Sequence, residues 1–130
     1  MIYTFDYDTN YAYGPAMPVI EFLLRPVGKS EGIQLKALVD SGADATIIPT
    51  HLLQQAGVEQ VGRARMRWGP HSVQIYDVYL AVIEIGSETI PGIRVLADAQ
   101  HEEIVLGRDV LNQLKITLNG PAHVVEVAAM

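Results

Sequence analysis

Ala37-Leu38-Val39-Asp40-Ser41-Gly42-Ala43-Asp44-Ala45-Thr46-Ile47-Ile48-Pro49 sets an acid at the end of an apolar run and follows it at once with small residues. Polar atoms are thereby delivered into an apolar setting. On either side lie alternating or short apolar runs with strand character, at residues 19–24, 33–39, 72–85, 90–96, 116–118 and 123–127. Turn chemistry separates them: residues 26–32, Gly86-Ser87 and Asn119-Gly120-Pro121 each close a hairpin, so consecutive strands are expected to be antiparallel neighbours. Two segments have helical character. Thr50 is expected to cap a single turn that ends at Gly57, and residues 108–115 place Val110, Leu111 and Leu114 on one side. The first eighteen residues, with Gly14, Pro15 and Pro18, are expected to be an irregular arm able to pack elsewhere, including on a partner.

A chain of 130 residues supports one core rather than two. Its hydrophobic fraction is 49% and its charged fraction 18%, a globular balance with some apolar surface left for association. The formal charge of −6 leaves no basic reservoir for phosphates, because the nine Lys and Arg are scattered apart from Arg63, Arg65 and Arg67. Nucleic acid is excluded as a partner on that ground. The absence of cysteine removes a disulfide framework, a thiolate zinc site and a cysteine nucleophile together. His51, His71, His101 and His123 stand singly, with no pair at metal-ligand spacing, so neither a metal nor another cofactor is expected. Ser41 lacks a Gly-x-Ser-x-Gly elbow, and no glycine-rich phosphate loop is present. The N-terminus has neither a basic leader nor a long apolar run, and no stretch approaches the ~20 apolar residues of a membrane span, so a soluble, cytoplasmic chain without a membrane partner is expected.

Asp40 is the residue on which chemistry can be built. Water attack on an amide needs a base to take a proton from the water and an acid to protonate the carbonyl oxygen or the leaving nitrogen. Two carboxylates about 3 Å apart cannot both ionise, so the pair titrates in two steps and holds one acid and one base at the same pH. Gly42 removes a side chain beside the acid, which lets backbone N–H groups and a water come close. Ser41 offers a hydroxyl that both donates and accepts, suited to bracing. The triplet Asp40-Ser41-Gly42 by itself reads as no more than a β-turn.

A second segment changes that balance. Glu103-Ile104-Val105-Leu106-Gly107-Arg108-Asp109-Val110-Leu111 is an apolar strand broken by glycine and continued as a helix. Together the two segments resemble the retropepsin family, the single-domain aspartic proteases of retroviruses and their cellular and bacterial relatives. The marks of that family are Asp-Thr/Ser-Gly-Ala and a later apolar-apolar-Gly-Arg-Asn/Asp. The resemblance runs from about Val19 to Leu118, with a hairpin around Trp68-Gly69-Pro70 where the family has its flap.

This resemblance implies a mainly β fold: a closed β-barrel subunit with a flap hairpin and one short C-terminal helix. It divides the chain into an N-terminal arm (1–18), a protease domain (19–118) and a C-terminal hairpin strand continuing that domain (119–130). It implies an aspartic endopeptidase in which Asp40 is the catalytic carboxylate. The chain has no second Asp-Ser/Thr-Gly triplet, so the resemblance further implies a homodimer in which Asp40 meets its own symmetry mate. Ser41 and Gly42 then support the catalytic loop, Ser41 by a bond across the dimer axis. Ala43 and Asp44 border a bound peptide, and Leu38, Ile47, Glu103 and Val105 line its subsites. Asp44 and Arg108 are expected to form an ion pair within each subunit.

Two departures from the family pattern stand out. Trp68, Gly69 and Pro70 replace a glycine-rich flap tip, which leaves open a less mobile flap or a lid that fills a subsite, while Arg63, Arg65 and Arg67 are placed to attract acidic peptides. After residue 118 a further hairpin either replaces or supplements the interleaved ends of the retroviral dimer. The alternative function is a dimeric peptide-binding or assembly module that keeps the fold without turnover.

Overall fold

The structure is a computed structural model that describes residues 1–128, with Trp68 described by its backbone alone. In chain order the elements are β1 (Ile2–Asp6), β2 (Val19–Arg25), β3 (Ile33–Val39), β4 (Ile47–Pro49), α1 (Thr50–Gln55) and β5 (Glu59–Trp68). They continue with β6 (Ser72–Ile85), β7 (Glu88–Asp98), β8 (Val105–Leu106), α2 (Arg108–Leu111), β9 (Lys115–Asn119) and β10 (Val124–Ala128). The chain is mainly β, with two short helices.

Seven strands form one sheet in the order β2-β3-β8-β4-β7-β6-β5, and β2 also pairs with β6. That extra pairing, from Leu23↔Glu84 to Arg25↔Val82, rolls the sheet into a closed barrel and leaves β5 outside the ring. Arg25 reinforces the seam, its Nε donating to Glu84 Oε2 at 2.8 Å and its Nη1 to the Lys29 carbonyl at 2.7 Å. Inside the ring, Ile20, Phe22 and Leu24 alternate with outward residues along β2 and meet Ile83, Ile85, Val95 and Leu106. Each such side chain contributes about 1.5–3 kcal/mol on burial, and a closed ring lets every strand contribute. Strand β6 changes character along its length: its first four residues are exposed, and its later half is buried in the barrel. Strand β6 therefore runs from solvent at the hairpin tip into the core, while no described residue of β5 is buried.

Consecutive strands pair antiparallel at β2–β3, β5–β6, β6–β7 and β9–β10. The expectation fails where the chain leaves β3 at Asp40. There β8 inserts between β3 and β4, running parallel to β3 (Leu38↔Val105, Val39↔Leu106) and antiparallel to β4 (Ile47↔Val105). Strand β4 in turn runs parallel to β7. A turn of small residues gives no ladder of its own, so the gap it opens is filled by a later strand.

The helices and the first residues also differ from expectation. Pro49, not Thr50, occupies the N-cap position of α1, with no side-chain cap, and Thr50 is the first helical residue. Helix α2 is a single turn, because Lys115 already opens β9. The first residues are not an irregular arm throughout: β1 pairs with β10 from Ile2↔Ala128 to Asp6↔Val124 and completes a β1-β10-β9 sheet within one chain. The reason is period-two alternation, Tyr3 and Phe5 turning inward between exposed Ile2, Thr4 and Asp6. Beyond it a loop returns through a bridge between Asp8 and Met17. Among the described residues no helix is long and apolar enough to cross a membrane.

Candidate active site

Asp40 stands just past the end of β3, exposed at the mouth of a pocket of about 290 Å³. Its backbone is pinned on both sides: its N–H donates to the Leu106 carbonyl at 3.1 Å, and its carbonyl accepts from Ala43 N–H at 3.2 Å. Its carboxylate is oriented by Gly42, whose N–H donates to Oδ1 at 2.9 Å. A Cβ on residue 42 would lie 3.2 Å from that oxygen, so a larger residue there pushes against the acid. One carboxylate oxygen is thus held by the turn.

Beneath the turn, two segments far apart in sequence are locked together. Thr46 is fully buried, its N–H and hydroxyl donating to the two Asp109 carboxylate oxygens at 3.1 and 2.8 Å. The same hydroxyl accepts from Gly107 N–H at 3.2 Å. Gly107 is needed for this approach, since a Cβ there would meet the Ala45 backbone at 2.5 Å. Arg108 completes the lock, with its N–H on the Ala43 carbonyl at 2.9 Å, its Nη1 on the Ser41 carbonyl at 2.7 Å and its Nη2 donating to Asp44 Oδ1. The guanidinium and carboxylate of that pair are 42% and 70% exposed, so it orients the loop more than it stabilises the fold.

The structure gathers several of the residues that the sequence singles out. Asp40, Gly42, Ala43, Asp44, Ile47, Gly69 and Val105 all line the small pocket. A larger groove of about 970 Å³ adjoins it, sharing Ile47 and Val105 and including Glu103. Ser41 is exposed and contributes its carbonyl to the network. Leu38 lines neither space; it sits half-buried in β3 between Val19 of β2 and Val105 of β8. The expected part of the Trp68 side chain lies outside the described residues. Of the three arginines on β5, Arg67 reaches the small pocket, whereas Arg63 faces Asp77 across the hairpin at 3.5 Å.

Other residues of the site have no role in the sequence reading. Thr46 and Asp109 carry the buried network, and the second motif had already placed Asp109 beside Arg108. Met66 of β5 lines the small pocket, and Gln74 and Tyr76 of β6 line the groove. Tyr11 and Tyr13 enter the groove from the N-terminal loop, which follows β1 and its pairing with β10. Partial desolvation, with the Glu103 carboxylate beside it, raises the Tyr11 phenol above its ordinary value of 10.0. Its hydroxyl therefore stays a donor to Glu103 across the neutral range. Among the described residues no group of three or more His, Cys, Asp or Glu is placed to hold a metal ion.

Comparison with known proteins gives this geometry a lineage. Residues 28–113 match the family of gag-polyprotein aspartyl proteases. Over 100 residues the chain is 30% identical to Protein DNA-DAMAGE INDUCIBLE 1 of Arabidopsis thaliana, a match spanning 74% of this chain and 24% of that protein. The fold is similar to a retropepsin-like aspartic protease from Rickettsia conorii, with a TM-score of 0.62 at 12% identity, covering 98% of this chain and 91% of that one. It is also similar to EIAV protease complexed with the inhibitor HBY-793, with a TM-score of 0.56 at 20% identity, covering 78% and 90% of the two chains. With the family match spanning both the Asp40 turn and the Gly107-Arg108-Asp109 junction, the chain belongs to the retropepsin-like aspartic proteases.

Proposed function

We propose that the protein is an aspartic endopeptidase that cuts peptide bonds with a water activated between Asp40 and the Asp40 of a second copy. The observation that carries this reading is the state of the carboxylates in the small pocket. Asp40 lies at its mouth held by one backbone N–H, while the pocket's other carboxylate, Asp44, is engaged by Arg108. One chain therefore offers one acid where the chemistry needs two.

A two-fold axis through this surface brings the mate of Asp40 to it. The exposed Ser41 hydroxyl then faces the partner's loop, and Arg108 holds that loop in shape through the Ser41 carbonyl. A peptide lies extended across the axis under the β5–β6 hairpin, bordered by Ala43 and Asp44 and resting on Ile47 and Val105. The shared proton polarises the scissile carbonyl while the ionised acid takes a proton from water. Collapse of the tetrahedral intermediate then returns a proton to the leaving amine. In this reading residues 19–118 form the catalytic unit, with the β1-β10-β9 sheet buttressing it. No cofactor takes part.

The test compares wild type with Asp40→Asn on a peptide library across mildly acidic to neutral pH, with sedimentation at several protein concentrations alongside. Cleavage by wild type alone, together with a concentration-dependent dimer, is the expected result. Equal cleavage by both proteins, or activity from a strict monomer, ends the assignment.

A further inference from the structure

The groove beside the Asp40 pocket has one wall that the two family motifs do not build. Residues 9–16 form a loop whose base is closed by paired hydrogen bonds between Asp8 and Met17, both 2.9 Å. Asn10 N–H donates to Asp8 Oδ1 at 2.9 Å and tightens the start of the loop. At its far side Tyr11 packs edge-on against Tyr13 with ring centroids 5.8 Å apart, and the Tyr11 hydroxyl donates to Glu103 Oε1 at 3.1 Å. The loop is thereby fastened to the segment that leads into β8. Both tyrosines line the groove together with Tyr76 of the β5–β6 hairpin.

The two spaces differ in how their carboxylates are compensated. In the small pocket Arg67 stands with Asp40 and Asp44, whereas among the described residues no Lys or Arg lines the groove, which carries Asp98, Glu102 and Glu103. These carboxylates are not equivalent. Asp98 is occupied by the N–H groups of Gln100 and His101 and by the His101 ring, and Glu102 lies 3.0 Å from His51 Nε2. Among the described residues Glu103 meets a neutral phenol alone, so it turns uncompensated negative charge toward the groove. A carboxylate beside exposed tyrosine faces suits an ammonium or guanidinium group, which gains both an ion pair and a cation–π contact.

We propose that the loop of residues 9–16 walls the substrate groove, and that Tyr11, Tyr13 and Glu103 select a Lys or Arg side chain there. The inference rests on reading the groove as the place where peptide is bound and cut. In the two-fold dimer each copy supplies such a groove, so the basic side chain is selected at the same distance on either side of the cut.

The experiment uses the full chain and a peptide library in which each position flanking the cut is varied among Lys, Arg, Leu and Glu. Cleavage is measured for wild type, Glu103→Gln, Glu103→Lys and Tyr13→Ala, and binding of the same peptides by fluorescence anisotropy on Asp40→Asn. Wild type is expected to favour Lys and Arg over Glu about tenfold at one distance on either side of the cut. Glu103→Gln should erase most of that ratio, Glu103→Lys should turn it toward Glu, and Tyr13→Ala should reduce it severalfold. Cleavage with no basic preference, or a preference unmoved by both Glu103 variants, overturns the groove assignment while leaving proteolysis intact. Selective binding of basic peptides without cleavage by wild type overturns proteolysis and leaves the groove assignment standing.

Discussion

The floor of the site and the hairpin above it are built on opposite principles. In the floor, Thr46, Gly107, Arg108 and Asp109 cross-link two turns through side-chain and backbone hydrogen bonds, and Thr46 and Leu106 have no exposed surface. In the hairpin, β5 and β6 are joined by their ladder, with Val73 47% and Ile75 66% exposed. Local stability follows packing and satisfied polar groups, so opening should cost far more at the floor than at the hairpin tip. The contrast is what the proposed hydrolysis asks for: an acid that stays in place and a cover that moves.

Substitutions can break or sharpen this contrast. The largest effect is expected for Asp40→Asn, which should lower kcat by about 10³-fold or more while leaving the thermal midpoint near that of wild type. A comparable loss of stability would mean that the acid also holds the floor together. Gly107→Ala comes next, because its new methyl meets the Ala45 backbone at 2.5 Å. The cost should be about 3 kcal/mol in urea unfolding, and an unchanged midpoint would show that the junction yields.

Thr46→Val keeps the shape but removes a hydroxyl that serves both Asp109 and Gly107. Stability should fall by about 2 kcal/mol, since a carboxylate and an N–H lose their buried partner. Arg108→Ala should cost the monomer less than about 1 kcal/mol, given the exposure of its ion pair, yet raise the dimer dissociation constant about fivefold by sedimentation. A loss of monomer stability with an unchanged dissociation constant would place the arginine on the structural side alone. Gly69→Ala should have the smallest effect on global unfolding: at φ +73 a methyl costs about 1 kcal/mol locally, confined to the hairpin turn. Its signature is a raised KM with an unshifted midpoint, and a cooperative loss of stability would erase the distinction between floor and cover.

Much of this was legible in the chain before any coordinates. The runs at 19–24, 33–39 and 72–85 became barrel strands because alternation and β-branched content agree with burial there. Gly86-Ser87 and Asn119-Gly120 became hairpin turns for the same local reason. The parallel pairing of β3 with β8 was not legible, since it depends on contacts about 65 residues apart in sequence and not on any local pattern. Strand β1 was hidden by its neighbours: Tyr3 and Phe5 alternate clearly, but Gly14, Pro15 and Pro18 dominate the reading of that region. Misplacing it as an arm concealed the two tyrosines in the groove. Within the site, the acid and its glycine could be read from residue chemistry, whereas Thr46 could not, because a threonine in an apolar run gives no sign that its hydroxyl is shared.

The pairing of Ile2 with Ala128 sets the two ends of the described chain beside one another on adjacent strands. A short linker between them would let the polypeptide be reopened elsewhere, and the Gly69–Pro70 turn is the natural place to cut. Such a circular permutant keeps every barrel contact and divides the hairpin into two loose tails, so that the two proposed roles, covering a peptide and pairing the acids, become separately measurable in one molecule.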